Sequence, residues 1–329
     1  MSAVAPATVV IPHWNRRDLL ESALAGLARQ SEPPAEILVV DNGSSDDSVD
    51  VAARAGARVL RLGENAGFCR AVNAGIAASR TRLVAVVNND VDVDPGWLRA
   101  LREAIESEDA WFATGKTFRL DTPGVLDGAW DALSRGGCAW RCGHLRPDGP
   151  EWSAPRRIGF TPFTAALFRR DLFDRVGPLD ADFESYLEDV EFGLRCSLSG
   201  LGGVYTPFAL ARHRGSATLG VWHTETVRLI SRNQLLLVAR HFPELYRWRT
   251  LWPVLVGQLL WGAVAIRHRA GWAFVKGKTE GLLQFRARRR VCRAARVLEE
   301  VLARSEAEIR QMQEATGFDW YWRLYFALT

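Results

Sequence analysis

Residues 88–94, NNDVDVD, bring together the groups in this sequence best suited to chemistry: two amides followed by carboxylates at alternate positions. The acids are Asp90, Asp92 and Asp94. Carboxylates two residues apart can bind one divalent cation together if the chain has left regular strand geometry. The segment therefore predicts a site for a metal ion and a diphosphate. The alternative is an acidic turn that only caps a strand and the helix expected from Pro95 onward.

The elements that must position these acids follow from the spacing of apolar residues. The chain alternates β-branched apolar runs with segments of helical spacing: strands at 8–13, 37–40, 58–62 and 83–89, and helices at 16–30 and 68–79. This alternation predicts an α/β fold with a doubly wound, mostly parallel sheet flanked by helices. Because ligands bind beyond the carboxyl ends of such strands, we expect a site where the first, second and fourth strands end.

Length, charge and cysteine content restrict the class of protein. The 329 residues suffice for one large domain or two smaller ones, and the G-x-G-x-x-G, G-x-x-x-x-G-K-[ST] and G-x-S-x-G signatures are absent. The amino terminus has no basic segment before a long apolar one, so we expect no secretory signal. The five scattered cysteines favour a reducing compartment. From Arg228 to Arg296 the chain carries 15 Lys and Arg against two acids, and the remainder is acidic.

The second predicted strand ends in a polar loop, DNGSSDD, at residues 41–47. Asp41 could accept hydrogen bonds from a nucleobase or a ribose. The backbone amides around Gly43 and Ser44 could approach a ligand closely, because glycine leaves the backbone open. The loop therefore predicts nucleotide binding by means other than the signatures that the sequence lacks.

Five motifs, taken in order, resemble family-two glycosyltransferases of the GT-A fold, and in particular the branch that contains bacterial rhamnosyltransferases. They are VVIPHWNRRDLLESAL, ILVVDNGSSDDS, LGENAGFCRAVNAGI, VVNNDVDVDPGWL and YLEDVEFGLRCSLSGL, within residues 7–215. Each motif alone is weakly specific, but five in this order and spacing are strongly specific. The resemblance implies inverting transfer of a sugar from a nucleoside diphosphate to an acceptor hydroxyl, with Mg²⁺ or Mn²⁺ as the cofactor.

The resemblance also implies residues on the donor side of the site. Asp41 is expected to contact the nucleobase, and Asp90-Val91-Asp92 is the expected metal motif, although Asp92-Val93-Asp94 also fits the pattern. In the first register Asp94 becomes the N-cap of the next helix. The segment with Asn65 either shapes the donor pocket or begins a helix with Asn65 as its cap. The full set of implied donor-binding residues is Pro12, Asp41, Asn42, Asn65, Gly67, Asn73, Asn89 and Asp90.

On the acceptor side, an inverting transferase needs one carboxylate that takes a proton from the acceptor hydroxyl. The resemblance implies that this catalytic base is Asp189, with Glu188 and Glu191 as further candidates. The alternative for the cluster is a solvated, acidic helix start paired with Arg195.

A histidine completes the implied metal set. His213 follows an apolar run, and the resemblance implies that it is the third ligand beside Asp90 and Asp92, or a ligand of the diphosphate; a neutral imidazole suits such a metal site. The alternative is a histidine with a purely structural role. Arg212 or Arg214 could supply positive charge to the diphosphate or could simply be solvated.

A variable loop region is implied beside the donor sugar. It contains Asp127-Gly128 and a glycine-rich stretch at 136–149. Trp130, Trp140 and Trp152 could stack on sugar rings there, or could pack the loop itself.

The last third of the chain has strong helical periodicity and lies outside the resemblance. Residues 251–266 carry no charge, but they are fewer than the roughly 20 needed to span a bilayer. Basic residues flank them, which predicts a helix lying in the headgroup region of an anionic membrane. The alternative is a helical hairpin of an ordinary core. We also expect one helix at 286–313 and an aromatic interface or membrane contact at 318–326.

Together these observations predict a metal-dependent inverting glycosyltransferase. We expect a catalytic GT-A domain at residues 1–220 and a helical, membrane-associated or oligomerising region at 221–329. The expected donor is a dTDP- or UDP-sugar, with L-rhamnose as the leading candidate. The expected acceptor is a polyprenyl-diphosphate-linked glycan or a polysaccharide of the cell envelope, at the cytoplasmic face of the membrane. A homodimer is compatible with the sequence, and nucleic acid is not an expected partner. Rival interpretations are a nucleotidyltransferase on a similar sheet and a membrane-bound nucleotide-binding scaffold without catalysis.

Overall fold

The computed structural model describes residues 5–215, 222–242, 248–289 and 295–329. The described chain divides into two compact units. The first comprises the described residues up to Trp130 together with Gly143–Gly215, and the second comprises Asp131–Cys142 together with the described residues after Gly215. The domain boundary expected at residue 220 stays a prediction.

The first unit is built on one large mixed sheet with helices around it. In chain order, and including two short strands of the second unit (β8 and β9), the strands are β1 (Ala5–His13), β2 (Pro34–Asp41), β3 (Arg58–Arg61), β4 (Leu83–Val87), β5 (Val91–Val93), β6 (Phe112–Arg119), β7 (Leu126–Gly128), β8 (Asp131–Leu133), β9 (Ala139–Arg141), β10 (Arg156–Ile158), β11 (Ala165–Arg169) and β12 (Gly203–His213). The helices of the first unit are α1 (Arg17–Ala28), α2 (Ser48–Arg54), α3 (Phe68–Ala78), α4 (Trp97–Ser107), α5 (Asp171–Val176) and α6 (Glu188–Leu198), with short 3₁₀ turns at Pro150–Trp152 and Ala181–Phe183.

The sheet combines a parallel half with a mixed half. Strands β3, β2, β1 and β4 are neighbours in this order and are all parallel. Beyond β4, β11 runs antiparallel to both β4 and β6, and β6 runs parallel to β12. The predicted doubly wound, mostly parallel sheet flanked by helices is confirmed.

Both faces of the parallel half are covered, which explains why its strands are apolar throughout. Val9 and Ile11 of β1 belong to a core formed with α1 and α4, whereas Val10 points to the opposite face. There, α3 packs so closely that a Cβ at Gly75 would lie 2.3 Å from Cγ1 of Val10. The strands are thus fixed between two layers of helices, and their carboxyl ends are held in place.

The elements described in the second unit are helices and one hairpin. Its helices are α7 (Thr224–His241), α8 (Trp248–Arg267), α9 (Gly271–Arg288), α10 (Ala295–Thr316) and α11 (Trp320–Leu328), and its hairpin pairs β8 with β9. The hairpin is tied to the helices because the amide of Leu133 donates to Oγ of Ser305 (2.7 Å) and Nε2 of Gln258 donates to the carbonyl of Gly136 (2.8 Å).

The prediction of one helix at 286–313 is wrong. The chain leaves helical geometry at Arg289, whose guanidinium donates to the carbonyl of Phe242 (2.5 Å), so α9 does not continue as the predicted helix; α10 is described from Ala295 onward. The residues between them, 290–294, lie outside the described part of the chain.

Candidate active site

Strands β1 and β2 end side by side and bring His13 and Asp41 to the same edge of the sheet. The two residues are partners in the parallel ladder, and both are buried. Oδ1 of Asp41 accepts a hydrogen bond from the amide of Ser44 (3.0 Å), which folds the following loop back over the strand end. The nucleotide-binding side of the predicted site is therefore a buried, polar strand end.

His13 presents one ring nitrogen that is free to contact a ligand. Nδ1 lies 3.0 Å from the side-chain nitrogen of Asn89, whereas Nε2 is buried without a hydrogen-bond partner among the described residues. Burial lowers the pKa of His13, because the imidazolium would lose its hydration. Since the amide nitrogen of Asn89 can only donate, a neutral His13 carries its proton on Nε2. This buried N–H needs an acceptor, and a ligand oxygen would supply one.

Asn42 ties the loop after β2 to the start of α3. Its side-chain nitrogen donates to Oδ1 of Asn65 (2.9 Å), and its oxygen accepts from the amide of Ala66 (2.8 Å). Oδ1 of Asn65 also accepts from the amide of Gly67 (3.1 Å), the N-cap of α3, whose φ of 87° favours glycine. Three of the implied donor-binding residues thus form one hydrogen-bonded bracket beside Asp41.

Two other implied donor-binding residues have structural contacts. Pro12 lies inside the β1 ladder opposite Val40. Asn73 exchanges two hydrogen bonds with the backbone of Leu179, at 2.8 and 2.9 Å. These bonds fasten α3 to the segment that leads to α6. Contact of Pro12 or Asn73 with a donor stays a prediction.

Beyond β4, Asp90 meets two side chains from distant parts of the sequence. Nε2 of His213 lies 3.2 Å from Oδ1 of Asp90, and Nδ1 of the same ring lies 2.8 Å from Oδ2 of Asp127. The three side chains are nearly buried, with at most 11% of each exposed. His213 therefore bridges two carboxylates.

Strand pairing produces this arrangement. In the antiparallel pair of β12 with β5, His213 lies opposite Val91, the residue after Asp90. Strand β6 lies between β12 and β7 in hydrogen-bonded pairs, so it brings β7 and its Asp127 to the same region. The site thus depends on the mixed half of the sheet as well as on the parallel half.

The two carboxylates determine the charge of His213. Burial alone would lower the pKa of the imidazole, but hydrogen bonds to Asp127 and Asp90 outweigh burial and raise the pKa to about 9. The ring therefore carries a proton at neutral pH, and its positive charge compensates the two acids.

The other two acids of the motif are held by arginines. Oδ1 of Asp92 accepts a hydrogen bond from Arg29 (2.7 Å), and Asp94 forms an ion pair with Arg212. The prediction that Asp94 caps the next helix is wrong, because α4 begins at Trp97 with Gly96 as its N-cap. Asp92 as a metal ligand stays a prediction, and its carboxylate would first have to leave Arg29.

The distances at His213 suit a divalent cation. Neighbouring ligands of an octahedral ion, each about 2.1 Å from the metal, lie about 3 Å apart. The 3.2 Å between Nε2 of His213 and Oδ1 of Asp90 matches this spacing, provided that the proton on Nε2 leaves. Asp127 would then hold the Nδ1–H, as carboxylates commonly do behind a metal-binding histidine.

The described side chains do not complete a metal site alone. Among them, no three or more His, Cys, Asp or Glu residues are grouped so that they could hold a metal ion. A cation at Asp90 and His213 would therefore take further ligands from water and from a diphosphate, which is the usual pattern for Mg²⁺.

Helix α6 presents the candidate bases in its first turn, where the helix dipole favours carboxylates. Glu188, Asp189 and Glu191 are all buried, with 6%, 9% and 1% of their surface exposed. The interpretation of this cluster as a solvated helix start is therefore wrong. Both oxygens of Glu191 accept hydrogen bonds from Arg195, at 2.8–3.0 Å. Arg195 thus occupies the carboxylate oxygens of Glu191 that would have to accept a proton.

Asp189 lies near the start of α3, which carries the Asn42 bracket. After burial, the negative charges of Glu188 and Asp189 are the main causes that raise the pKa of Cys69, the second residue of α3. The amide of Cys69 also donates to the carbonyl of Glu184 (3.3 Å), just before α6. The candidate base Asp189 therefore lies close to the first turn of α3, which belongs to the predicted donor-binding segment.

Backbone strain is concentrated in two segments next to these residues. Glu184, Tyr186 and Leu187, directly before α6, have φ values of 60°, 69° and 65°, and Asn15 and Arg16, directly after β1, have values of 53° and 60°. Such left-handed conformations cost non-glycine residues about 1–3 kcal/mol each and cluster at functional sites. Their position supports a functional site between the ends of β1 and the start of α6.

The three tryptophans of the variable region are buried. Trp130 and Trp152 have no exposed surface, and Trp140 is 8% exposed. The ring of Trp130 packs on Trp152, 5.6 Å between centroids, and on Tyr205, 4.9 Å between centroids. The packing interpretation of these residues is confirmed, and none of the three offers an open face to a sugar.

Sequence reasoning misses two residues of the site. It predicts His13 only as the end of a strand, and Asp127 only as part of a variable loop. Their one sequence signal is position: a polar residue at or near the end of a predicted strand. The pairing of Asp127 with His213, 86 positions apart, has no local signature.

Comparisons with known proteins identify the family and the fold. Residues 8–177, just over half of the chain, match the family described as Glycosyl transferase family 2. The chain is 31% identical over 225 residues to the N-acetylglucosaminyl-diphospho-decaprenol L-rhamnosyltransferase of Mycobacterium tuberculosis, with 61% of this chain and 73% of that protein covered.

Solved structures show the same fold at low sequence identity. GalNAc-T7 with UDP, GalNAc and Mn²⁺ superposes with a TM-score of 0.63 at 16% identity, over 92% of this chain and 57% of that one. The mannosyltransferase PcManGT from Pyrobaculum calidifontis, in complex with GDP-Man and Mn²⁺, gives a TM-score of 0.52 at 15% identity, over 98% of this chain and 86% of that one. This chain thus spans a little over half of the GalNAc-T7 chain.

Fold and site together define a glycosyltransferase with a GT-A-like sheet. The chain belongs to glycosyl transferase family 2, and the family resemblance read from its sequence motifs is confirmed.

Proposed function

We propose that this glycosyltransferase moves a sugar from a nucleoside diphosphate onto a polyprenyl-diphosphate-linked glycan of the cell envelope, with L-rhamnose as the first candidate sugar. The observation that carries the proposal is the approach of His213 Nε2 to within 3.2 Å of Asp90 Oδ1, just beyond β4. Similarity to the mycobacterial enzyme supports the choice of sugar and acceptor. A dTDP- or UDP-sugar is the proposed donor.

The nucleobase is proposed to lie at the ends of β1 and β2. Asp41 can accept from an imide N–H of uracil or thymine, and the Nε2–H of His13, which has no partner in the described part of the chain, can donate to a ligand oxygen. The bracket of Asn42, Asn65 and Gly67 would form one side of this pocket. Its amide groups already hydrogen-bond to one another, so they would shape the pocket rather than bind the base. A neutral His13 suits this role because it adds no charge next to the base.

The diphosphate is proposed to lie beyond β4, next to Asp90 and His213. These two residues would hold Mg²⁺ or Mn²⁺, and such an ion, when bound, stabilises the charge of the departing nucleoside diphosphate. Asp127 accepts from Nδ1–H of His213, so the proton that leaves when an ion binds would be the one on Nε2, and Nε2 would face the ion beside Asp90.

Asp189 is the proposed base of the transfer. The acceptor hydroxyl oxygen forms a bond to the anomeric carbon, the bond from that carbon to the diphosphate oxygen breaks, and the hydroxyl proton passes to the carboxylate of Asp189. A single displacement inverts the anomeric configuration. The position of Asp189, buried in the first turn of α6 and near the start of α3, supports this role, because α3 belongs to the predicted donor-binding segment.

The proposal also includes where the protein works in the cell and which part of the chain has which role. A lipid-linked acceptor requires the protein to work at the membrane surface, and we propose the cytoplasmic face. Residues 1–220 are proposed as the catalytic domain and residues 221–329 as the region that associates with the membrane.

The proposal is tested by measuring transfer across a panel of dTDP-, UDP- and GDP-sugars, with a polyprenyl-diphosphate-linked acceptor and with Mg²⁺, Mn²⁺ or EDTA. Asp189→Asn is expected to lose about 100-fold or more in transfer rate, the usual size of general-base catalysis, while nucleotide binding measured by calorimetry is retained. Asp174→Asn, in α5, removes an exposed carboxylate and serves as the matched control.

The outcomes separate the candidate functions. Undiminished transfer by Asp189→Asn would support the glycosyltransferase function but would show that Asp189 is not the base. Nucleotide binding without turnover of any donor would favour a scaffold. Release of a sugar 1-phosphate together with a nucleotidylated acceptor would favour nucleotidyl transfer.

A further inference from the structure

Helix α8 leaves one continuous apolar stripe exposed. The stripe, named here the α8 stripe, consists of side chains 36–71% exposed and spaced as one face of a helix: Trp248, Trp252, Leu255, Leu259 and Ile266. The helix contains no acidic residue, and Arg249 and Arg267 lie exposed at the edge of the stripe near its two ends. Soluble proteins rarely expose so many large apolar groups in one row.

The opposite side of α8 is held by polar contacts within the second unit. Nε2 of Gln258 donates to the carbonyl of Gly136, Nε1 of Trp261 donates to Oγ of Ser231 (3.0 Å), and the carbonyl of Gly257 accepts from Tyr321 (3.1 Å). By length and composition α8 is the one helix among the described residues that could cross a membrane. A crossing would place α8 among lipid chains, away from the polar partners in the hairpin and the other helices that now bind it, and lipid offers no replacement for those hydrogen bonds. The geometry points instead to a helix that lies along a surface.

Helix α9 repeats the pattern. Its exposed apolar side chains, named here the α9 stripe, are Trp272, Val275, Leu282 and Leu283, at 47–80% exposure. Lys276 and Arg286 are exposed on the same face. The helix packs tightly against α8, since a Cβ at Gly262 would lie 2.9 Å from the ring of Phe274. Two adjacent helices therefore share an apolar, basic exterior.

The carboxyl-terminal helix adjoins the same surface. Nε1 of Trp252, in the α8 stripe, donates to the carbonyl of Leu328 at the end of α11 (2.7 Å). Trp320, Leu324 and Leu328, four residues apart, are the exposed apolar residues of α11. The apolar surface thus continues from α8 onto a third helix.

Charge decides which partner fits this surface. Across α8 and α9 the exposed charges are basic, namely Arg249, Arg267, Lys276, Arg286 and Arg288. The single acid, Glu280, is ion-paired with Arg228. In a symmetric dimer, each basic rim would meet another basic rim, which is unfavourable. An anionic lipid surface complements the rim, and its acyl region accepts tryptophan and leucine.

We propose that the α8 and α9 stripes bind the surface of an anionic phospholipid bilayer, with both helices lying in the headgroup region. The stripes enter the boundary between headgroups and acyl chains, and the arginine and lysine side chains reach anionic headgroups. This inference rests on the membrane association proposed above for residues 221–329 and names the surface that would carry it. Because such binding needs neither donor nor acceptor, its failure is distinguishable from a failure of sugar transfer.

Cosedimentation of the full chain with phosphatidylcholine vesicles, with and without phosphatidylglycerol, tests the proposal. We expect binding that requires phosphatidylglycerol and weakens as salt is raised. Leu259→Glu and Leu283→Glu are each expected to lower the partition coefficient about tenfold or more. Arg249→Gln and Arg267→Gln are each expected to lower it about fivefold, on phosphatidylglycerol vesicles alone.

Phe208→Glu, in β12 of the first unit, is the matched control, because Phe208 is as exposed as Leu259 (71%) and lies outside the stripes. Circular dichroism melts identify any variant that fails to fold. If a leucine variant fails to fold, the two arginine variants still test whether the stripes bind anionic lipid. The proposal is overturned if the stripe variants bind like wild type, or if Phe208→Glu loses as much. It is also overturned if sedimentation velocity shows a dimer that Leu259→Glu dissociates while vesicle binding is absent.

Discussion

Nδ1 of His213 lies 2.8 Å from Oδ2 of Asp127, and the other nitrogen of the same ring faces Asp90 at 3.2 Å. The imidazole is thus oriented by one carboxylate and presented to another. This relationship gives Asp127 a defined task, which is to fix the tautomer and the direction of a residue that would bind the metal.

We predict that Asp127→Ala lowers the affinity for Mn²⁺ about 10–100-fold, the usual loss when the partner behind a metal-binding histidine is removed. Asp127→Asn retains an oxygen that can accept from Nδ1–H, so its loss is expected to be smaller. Calorimetric titration with Mn²⁺ and the nucleoside diphosphate measures this without turnover. Asp121→Asn, an exposed acid in the loop between β6 and β7, is the control. Equal affinities for Asp127→Ala and wild type would remove Asp127 from the site.

The two acids of the motif should differ in importance. Asp90→Asn is expected to lower the Mn²⁺ affinity by more than about 100-fold, because Asp90 directly faces His213 and would bind the ion itself. About 100-fold is the upper loss expected for a residue that acts from behind a ligand, as Asp127 would. Asp92→Asn is expected to cost less than about tenfold, because Arg29 already holds that carboxylate. Electron paramagnetic resonance of bound Mn²⁺ compares the two variants. A larger loss for Asp92→Asn would show that Asp92 leaves Arg29 to bind the ion.

The free energy of unfolding should depend on pH through His213. The folded-state pKa of about 9 lies above the unfolded value of about 6.5, so protonation of the ring stabilises the folded chain. This contribution is fully present below about pH 6.5 and is lost as pH rises through about 9. The difference in stability between wild type and His213→Gln should therefore shrink across that window in EDTA, measured by urea denaturation. His268→Gln, at an exposed histidine, is the control. A difference that does not change with pH would refute the assignment.

Close packing of α3 on the sheet gives a stability prediction. A Cβ at Gly75 would lie 2.3 Å from Cγ1 of Val10 and 2.9 Å from Cγ2 of Val40. Gly75→Ala should therefore destabilise the protein by about 1–3 kcal/mol, as overpacking does, despite the better helix propensity of alanine. Thermal and urea unfolding measure this. Gly202→Ala is the control, since its new Cβ would have no atom nearer than 3.6 Å and Gly202 lies outside the helices. An unchanged midpoint for Gly75→Ala would mean that α3 can move outward freely.

The sequence is enough to predict the location of a site residue when that residue directly follows an apolar run that forms a strand. The apolar runs at 8–13, 37–40 and 83–89 predict strands, and parallel strands within one sheet bring their carboxyl ends together. The order of elements is therefore enough to place Asp41 and Asp90 at one edge of the sheet.

What the sequence cannot supply depends on contacts between distant segments. The sequence predicts Asp94 as a helix cap because aspartate is suited to that position, but Arg212, 118 positions later, pairs with it instead. Trp130 is ambiguous in the sequence for the same reason, since only the folded chain shows Trp152 and Tyr205 against its ring. For Asp94, the interaction with a distant partner decides the conformation, and the preference of aspartate for the N-cap position does not.

The hairpin of β8 and β9 belongs to the second unit, while the chain on both sides of it belongs to the first, so the polypeptide passes between the units at residues 130, 142 and 215. A fragment that ends at residue 215 would keep the hairpin but lose Gln258 and Ser305, which hydrogen-bond to it. The buried side chain of Leu133 would then be left uncovered, and such a fragment should aggregate. Exchange of parts between relatives would likewise succeed only if residues 131–142 travel with the helices, because the hairpin and helices form one transferable module encoded in two separate stretches.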